Sequence, residues 1–135
     1  TDYPGIPQLN LHTINKTDAF MIGDISFQPI EVIHYKMPVL GFRINDFVYI
    51  TDANYIDETE LEKMKGCTCL VLNALRKEPH ISHFTLDEAI SLSQKINPVQ
   101  TYFTHISHQL GLHQIVEQEL PSGIHLAYDT WSIDV

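Results

Sequence analysis

Three histidines fall within nine residues in "THISHQLGLH", at positions 105, 108 and 113. Two residues elsewhere share the setting of the first. His34 closes the apolar run "IEVIH", Asp52 follows "FVYIT", and His105 follows "TYFT". Each stands where an extended apolar segment gives way to a loop. A rigid strand aims such a residue into the crevice at the edge of an α/β sheet, where ligands and catalytic groups gather. Imidazole nitrogen and carboxylate oxygen together suit a borderline or hard divalent cation. An Asp directly after an apolar strand also needs a partner, because an unpaired carboxylate there is costly. Plain structural readings stand beside these: Asp52 as a turn former or helix cap, and each histidine as a hydrogen-bonded polar residue. His12, His80, His113 and His125 are read as solvated or locally hydrogen-bonded, and His105 and His108 could share one face if the chain turns helical there. No Gly-rich phosphate loop, G-x-S-x-G elbow or H-E-x-x-H helix occurs in the sequence.

Period and punctuation give the elements that must position these side chains. Ile30, Val32 and His34 follow at period two, so a strand is expected to end near His34. "VLGFRIND" and "FVYITD" read as an antiparallel hairpin over residues 39–44 and 47–51, turned by Asn45-Asp46. "DETELEKMKG" reads as a short helix with Thr59 and Glu62 in a capping box, and "TLDEAISLSQKIN" as a helix capped by Thr85 and Glu88 and stopped at Asn97-Pro98. "CTCLVLNAL" is a continuous apolar run, the mark of a strand buried on both faces. "VQTYFTH" predicts a further strand, "HQIVEQELPSG" a helix, and "IHLAYD" and "WSIDV" two short final strands. The opening "TDYPGIPQLNLHTI", broken by proline and glycine, reads as a loop or edge segment. Strands alternating with helices make the class α/β.

The chain has 135 residues, 44% of them hydrophobic, enough for one domain with a real core. Its formal charge is −9, from 17 acidic against 8 basic side chains. No clustered Lys and Arg surface is available for phosphate backbones, which argues against nucleic acid as a partner. No apolar run approaches the roughly 18 residues of a membrane span. The two cysteines, Cys67 and Cys69, have no second pair to complete a Cys₄ zinc site and read as buried and reduced. A cytoplasmic setting is therefore expected.

The stretch "IEVIHYKMPVLGFRINDFVYITDANYI", followed by "THISHQ", "LPSG" and a terminal strand pair, resembles the second half of a metallo-β-lactamase-fold hydrolase, and within that superfamily the PhnP-like phosphodiesterase group. The resemblance runs from about Ile30 to Val135. It implies an α/β fold: the C-terminal half of a metallo-β-lactamase-type αββα sandwich, a mixed sheet with flanking helices. It implies a metal-dependent hydrolase of phosphoesters working with two divalent ions, zinc or manganese. In that pattern His34 resembles a ligand of the first metal, Asp52 the carboxylate bridging both, and His105 a ligand of the second. His83 resembles a non-ligand histidine that contacts the substrate phosphate or protonates the leaving group, and His108, which has no ligand role in the pattern, is a supporting residue. The hallmark H-x-H-x-D-H is absent from these residues. The resemblance therefore implies that residues 1–135 are the C-terminal part of one domain and hold metal weakly or partially by themselves. Alone they are expected to be a non-catalytic half-domain whose exposed half-sandwich face favours homo-oligomers. A small phosphorylated substrate is the expected partner, with ester or thioester hydrolysis as the alternative.

Overall fold

The computed structural model describes residues 4–135. Seven strands form one sheet in chain order: β1 (Phe20–Ile22), β2 (Ile25–His34), β3 (Met37–Ile44), β4 (Phe47–Tyr49), β5 (Cys69–Asn73), β6 (Gln100–Thr104) and β7 (Ile124–Leu126). Helix α1 (Glu58–Leu61), continued by a 3-10 turn at Glu62–Met64, joins β4 to β5. Helix α2 (Leu86–Ile96) joins β5 to β6, and α3 (His113–Glu119) joins β6 to β7. Strands β1 to β4 form an antiparallel meander, and β4 to β7 are parallel. The result is the mixed sheet with flanking helices that the sequence implies. Because β3 opposes both β2 and β4, strand β2 points the same way as β4 to β7. Their C-terminal ends therefore share one edge of the sheet, which places the His34, Asp52 and His105 loops together.

The core lies on the face covered by the helices. Leu70, Leu72, Phe103 and Leu126 pack there with Leu86, Ala89 and Ile96 of α2 and with Leu61 and Met64. Every residue of β5 is buried, as expected of a central parallel strand. Each large apolar side chain so buried contributes about 1.5–3 kcal/mol. Helix α2 begins with a complete capping box. Thr85 Oγ1 accepts the Glu88 N–H at 3.2 Å, and the Glu88 carboxylate accepts the Thr85 N–H at 3.0 Å. Asn97, in the left-handed region, ends it. On the other face the register aligns Phe42, Tyr49, Val71, Tyr102 and His125 in one row across the sheet.

The β3–β4 turn falls on Asn45-Asp46, with Asn45 at φ +52°. Within β3, Gly41 has a steric purpose. A Cβ there would meet Ile50 Cγ1 at 2.7 Å and the Tyr49 carbonyl oxygen at 2.9 Å. Only glycine lets β3 pass so close to the segment leading into Asp52. Cys67 and Cys69 are buried and free, as read.

Local readings differ from the structure in three places. The Thr59–Glu62 capping box does not form. Asp57 caps α1 instead, its carboxylate accepting both the N–H and the hydroxyl of Thr59 at 3.0 and 2.7 Å, since an ionised acceptor serves the exposed helix amides better. Strand β4 ends at Tyr49 rather than at residue 51, because only the Ile50 N–H carries the pairing on, to the Val71 carbonyl. Residues 131–135 form no strand. Trp131 instead folds its ring onto Tyr102, with centroids 4.1 Å apart.

Candidate metal centre

His34 is the last residue of β2. Tyr35, at φ +61°, turns the chain back into β3 and donates its N–H to Asn54 Oδ1 at 2.7 Å. The Ile33 carbonyl accepts the Asn54 N–H at 2.8 Å, and the Ile33 N–H reaches the Tyr55 carbonyl at 2.9 Å. The end of β2 is thereby fastened to the loop that carries Asp52.

That loop is also held from below. Asn73, wholly buried at the end of β5, accepts the Ala53 N–H at 2.9 Å and donates to the Ala53 carbonyl at 2.8 Å. The same carbonyl accepts the Phe84 N–H at 2.9 Å, so the residue after Asp52 is tied to the residue after His83. Leu75 N–H donates to the Phe84 carbonyl, Ala74 N–H to the Thr104 carbonyl, and Ser107 N–H to the Leu75 carbonyl. These bonds lace the His83 and His105 loops to the end of β5. His105 itself sits at φ +57° directly after β6. A non-glycine residue in this region is uncommon and costs on the order of 1 kcal/mol, a cost often found at working sites.

The side chains converge on Asp52. His83 Nε2 lies 3.2 Å and His105 Nδ1 3.4 Å from Asp52 Oδ1, and the Thr51 hydroxyl donates to Oδ2 at 3.1 Å. The His83 ring stacks on that of His105, with centroids 4.5 Å apart, and meets the His34 ring edge-on at 4.8 Å. Donor atoms of His34, Asp52 and His83 all lie within 4.8 Å of one another, so one cation can touch all three. The structure thus brings all four sequence-derived candidates to one place. The grouping differs from the expected one in one respect: the three residues whose donor atoms lie close enough to share one cation are His34, Asp52 and His83, the last of these read as a non-ligand, while His105 meets Asp52 from outside that group.

The donor set fits a divalent metal. Partial burial pushes the Asp52 carboxyl up, but hydrogen bonds from His83 and Thr51, with His105 nearby, outweigh it and hold the group below its ordinary value. Burial pushes His83 down. The bond to Asp52 opposes this, His105 and His34 reinforce it, and the net direction is down. An ionised carboxylate beside a neutral imidazole is the protonation state that metal binding requires. Three imidazoles and a carboxylate are ligands that zinc and manganese accept.

Two neighbours were missed by sequence reasoning. Ser82 Oγ lies 2.9 Å from His83 Nδ1, and His80 Nδ1 lies 3.3 Å from the same nitrogen. His80, read as solvated, is half-buried against His83. The spacing in "HISH" was visible, but it falls on no regular element and so gave no direction to either ring. His125 matches its plain reading, held between Glu117 and Gln100. His108, read as supporting, is exposed on the 3-10 turn His108–Leu110. His12 and His113 are exposed as read.

A family model for the beta-lactamase superfamily domain matches residues 2–106. The chain belongs to this family. Members of the metallo-β-lactamase fold generally bind divalent metals, in keeping with the His34, Asp52 and His83 cluster. The crystal structure of a diphosphatase from the PhnP family is similar at TM-score 0.85 and 38% identity, covering 89% of this chain and 46% of that one. The metallo-β-lactamase-fold protein YhfI of Bacillus subtilis matches at TM-score 0.70 and 18% identity, over 84% of this chain and 51% of that one. The short form of human tRNase Z matches at TM-score 0.65 and 15% identity, over 86% and 46%. These last two speak for the fold alone. A curated protein of Porphyromonas gingivalis named octanoyltransferase is 34% identical over 128 residues, which are 94% of this chain and 26% of that protein. The chain thus spans about a quarter of this curated relative and about half of the similar structures. Among the described residues no helix is long and apolar enough to cross a membrane.

Proposed function

We propose that this chain is the C-terminal part of a single metallo-β-lactamase-like domain that hydrolyses phosphoesters, with phosphodiesters as the substrate class. The observation that carries the reading is the convergence of His34, His83 and His105 on the Asp52 carboxylate, in a chain 38% identical to a PhnP-family diphosphatase. His34, Asp52 and His105 would hold the two ions, with Asp52 shared between them. Two zinc ions want about eight ligands between them, so other residues of the parent protein complete the set. When bound, the ions supply a water activated near neutral pH and charge to meet the phosphate oxygens. His83, buried beside Asp52, would orient the phosphate and, in its protonated form, give a proton to the departing oxygen and become neutral imidazole. Its stacked position over His105 keeps that nitrogen beside the bridging carboxylate.

The test is turnover of bis(p-nitrophenyl) phosphate by the intact parent protein with zinc or manganese, beside its Asp52→Ala variant. Loss of both metals and of activity in the variant is expected. Near-normal turnover by Asp52→Ala would sink the assignment. A second reading, ester or thioester hydrolysis, draws on the name of the octanoyltransferase relative, of which the match covers 26%. Turnover of an octanoyl thioester faster than of any phosphodiester would favour it. For the 135 residues alone, partial metal occupancy and no turnover are expected, with self-association through the Phe42 to Tyr102 face read by sedimentation. Two tightly bound metals with turnover would remove the half-domain view.

A further inference from the structure

We propose that an apolar cleft beside His34 and Asp52 binds the apolar group of the substrate, an aryl ring or a short hydrocarbon chain, with the phosphoryl end at the centre. This deepens the phosphoester reading and rests on it for the place of the reacting group. The cleft lies between the facing ends of β2 and β3 and the segment that follows β4, and its volume is about 300 Å³. Val32 and Ile50, both almost wholly buried, form its floor. Val39, paired with Val32 across the two strands, and Leu40 are half-buried along its side, and Met37 stands exposed at its mouth. A side chain at Gly41 would meet Ile50 Cγ1 at 2.7 Å, so its absence lets Ile50 settle against β3 and keeps the floor low.

The near end of the cleft is made by His34, Thr51 and Asp52, so the cleft and the candidate metal centre are one continuous depression. Apolar walls with a few polar groups gathered at one end are the usual anatomy of a small-molecule site. An apolar cavity of about 150 Å³ holds a benzene ring, so this cleft has room for a ring or a short chain. Among the described residues no Lys or Arg lines it, and a second phosphate or other charged arm would lose its hydration there without a partner. The other flank of the centre is different. Beside His105 a cleft of about 270 Å³ carries Thr104, Tyr128 and Asp129, whose hydroxyls and carboxylate suit a hydroxylated group. The chemistry of the two flanks therefore sends the apolar group to the β3 side.

The test uses the intact, zinc-loaded parent protein with methyl-, phenyl- and n-octylphosphonate, none of which has an ester bond to cleave. Phenylphosphonate should bind on the order of tenfold tighter than methylphosphonate, read by calorimetry. Its ring should shift the methyl signals of Val39 and Met37 in ¹H–¹³C spectra. Tighter binding of the phenyl than of the octyl compound identifies an aryl ester as the source of the apolar group. The reverse order identifies a hydrocarbon chain, and both orders uphold the cleft. Val39→Phe should fill the space and cut the phenyl-over-methyl preference to within about twofold. Val39→Ala should enlarge it and raise the preference for 1-naphthylphosphonate over phenylphosphonate. Binding in the cleft by a protein that leaves phosphodiesters intact would count against the phosphoester reading alone. Equal affinity for the methyl and phenyl compounds, or tight phenyl binding that leaves Val39 and Met37 unmoved because other residues of the parent fill the cleft, would overturn the proposal.

Discussion

Replacing Asn73 by alanine removes the side chain that grips Ala53 from both sides. Asn73 is wholly buried and makes two bonds to that one residue, at 2.9 and 2.8 Å. After Asn73→Ala the Ala53 carbonyl still receives the Phe84 N–H, but the Ala53 N–H has lost its acceptor. A buried amide left without a partner costs about 1–3 kcal/mol. The space vacated by the carboxamide adds on the order of 1 kcal/mol. A loss of about 2–4 kcal/mol in unfolding free energy is therefore expected, read by urea unfolding of the metal-free intact protein. Ala53 directly follows Asp52, so the freed segment no longer fixes the carboxylate. Zinc affinity should fall on the order of 10- to 100-fold, read by competition with a chromophoric chelator. Asn73→Asp separates the two bonds. It keeps the acceptor for the Ala53 N–H and sets a carboxyl against the Ala53 carbonyl. Burial would raise the folded pKa of that carboxyl above its unfolded value. Its deficit against wild type should then be smallest in acid and grow as pH rises toward the folded value. Stability of Asn73→Ala within about 0.5 kcal/mol of wild type, with unchanged zinc affinity, would refute the clamp.

The remaining predictions concern the site itself. The metal-free protein should lose stability in two steps on acidification. His83 is depressed below the ordinary 6.5, so the unfolded chain binds that proton first and stability falls as pH drops through and below 6.5. Asp52 is depressed below 3.8, so its contribution is present above 3.8 and is lost as pH falls below it. His83→Asn should erase the first step in urea unfolding at a series of pH values and shrink the second, since the bond from His83 is the largest of those holding Asp52 down, and a persistent first step would disprove its source. His105→Gly should relieve a backbone at φ +57° and hold or raise the melting temperature, while the affinity for the second zinc falls at least tenfold. A drop in melting temperature with unchanged metal affinity would show that His105 serves the fold and not the ions.

Much of this site was legible because strand ends are. Period-two apolar runs located the ends of β2 and β6, and His34 and His105 stand there. Asp52 was found by the same logic although β4 stops three residues earlier, because Ile50 continues the pairing through its N–H. The class followed from the alternation of strands and helices, and Thr85 announced α2 by its capping partner. The partners of His83 were not legible. Ser82 and His80 lie in a loop between β5 and α2 whose path is set by backbone bonds, Leu75 to Phe84 and Leu86 to Arg76, that no side-chain pattern encodes. Asn73 was hidden for a different reason. It ends an apolar run that marks a buried strand, and nothing in the run says that its one amide faces a loop and not solvent. At α1 the miss was one of competing signals, since Asp57 and Thr59 both carry capping side chains and the carboxylate prevails.

The lacing between Ile33, Ala53, Asn73, Phe84, Leu75 and Thr104 has a consequence for how the site opens. Loops pinned to one another rather than to solvent cannot fray singly. The amides of Ala53, Ala74, Phe84 and Ser107 should exchange with deuterium at one common rate, as a single cooperative unit. A cation that binds His34 therefore slows exchange at Ser107, next to a loop it never touches. Metal affinity in such a centre depends on the depth of one collective opening, and a substitution anywhere in the lacing alters all ligands at once.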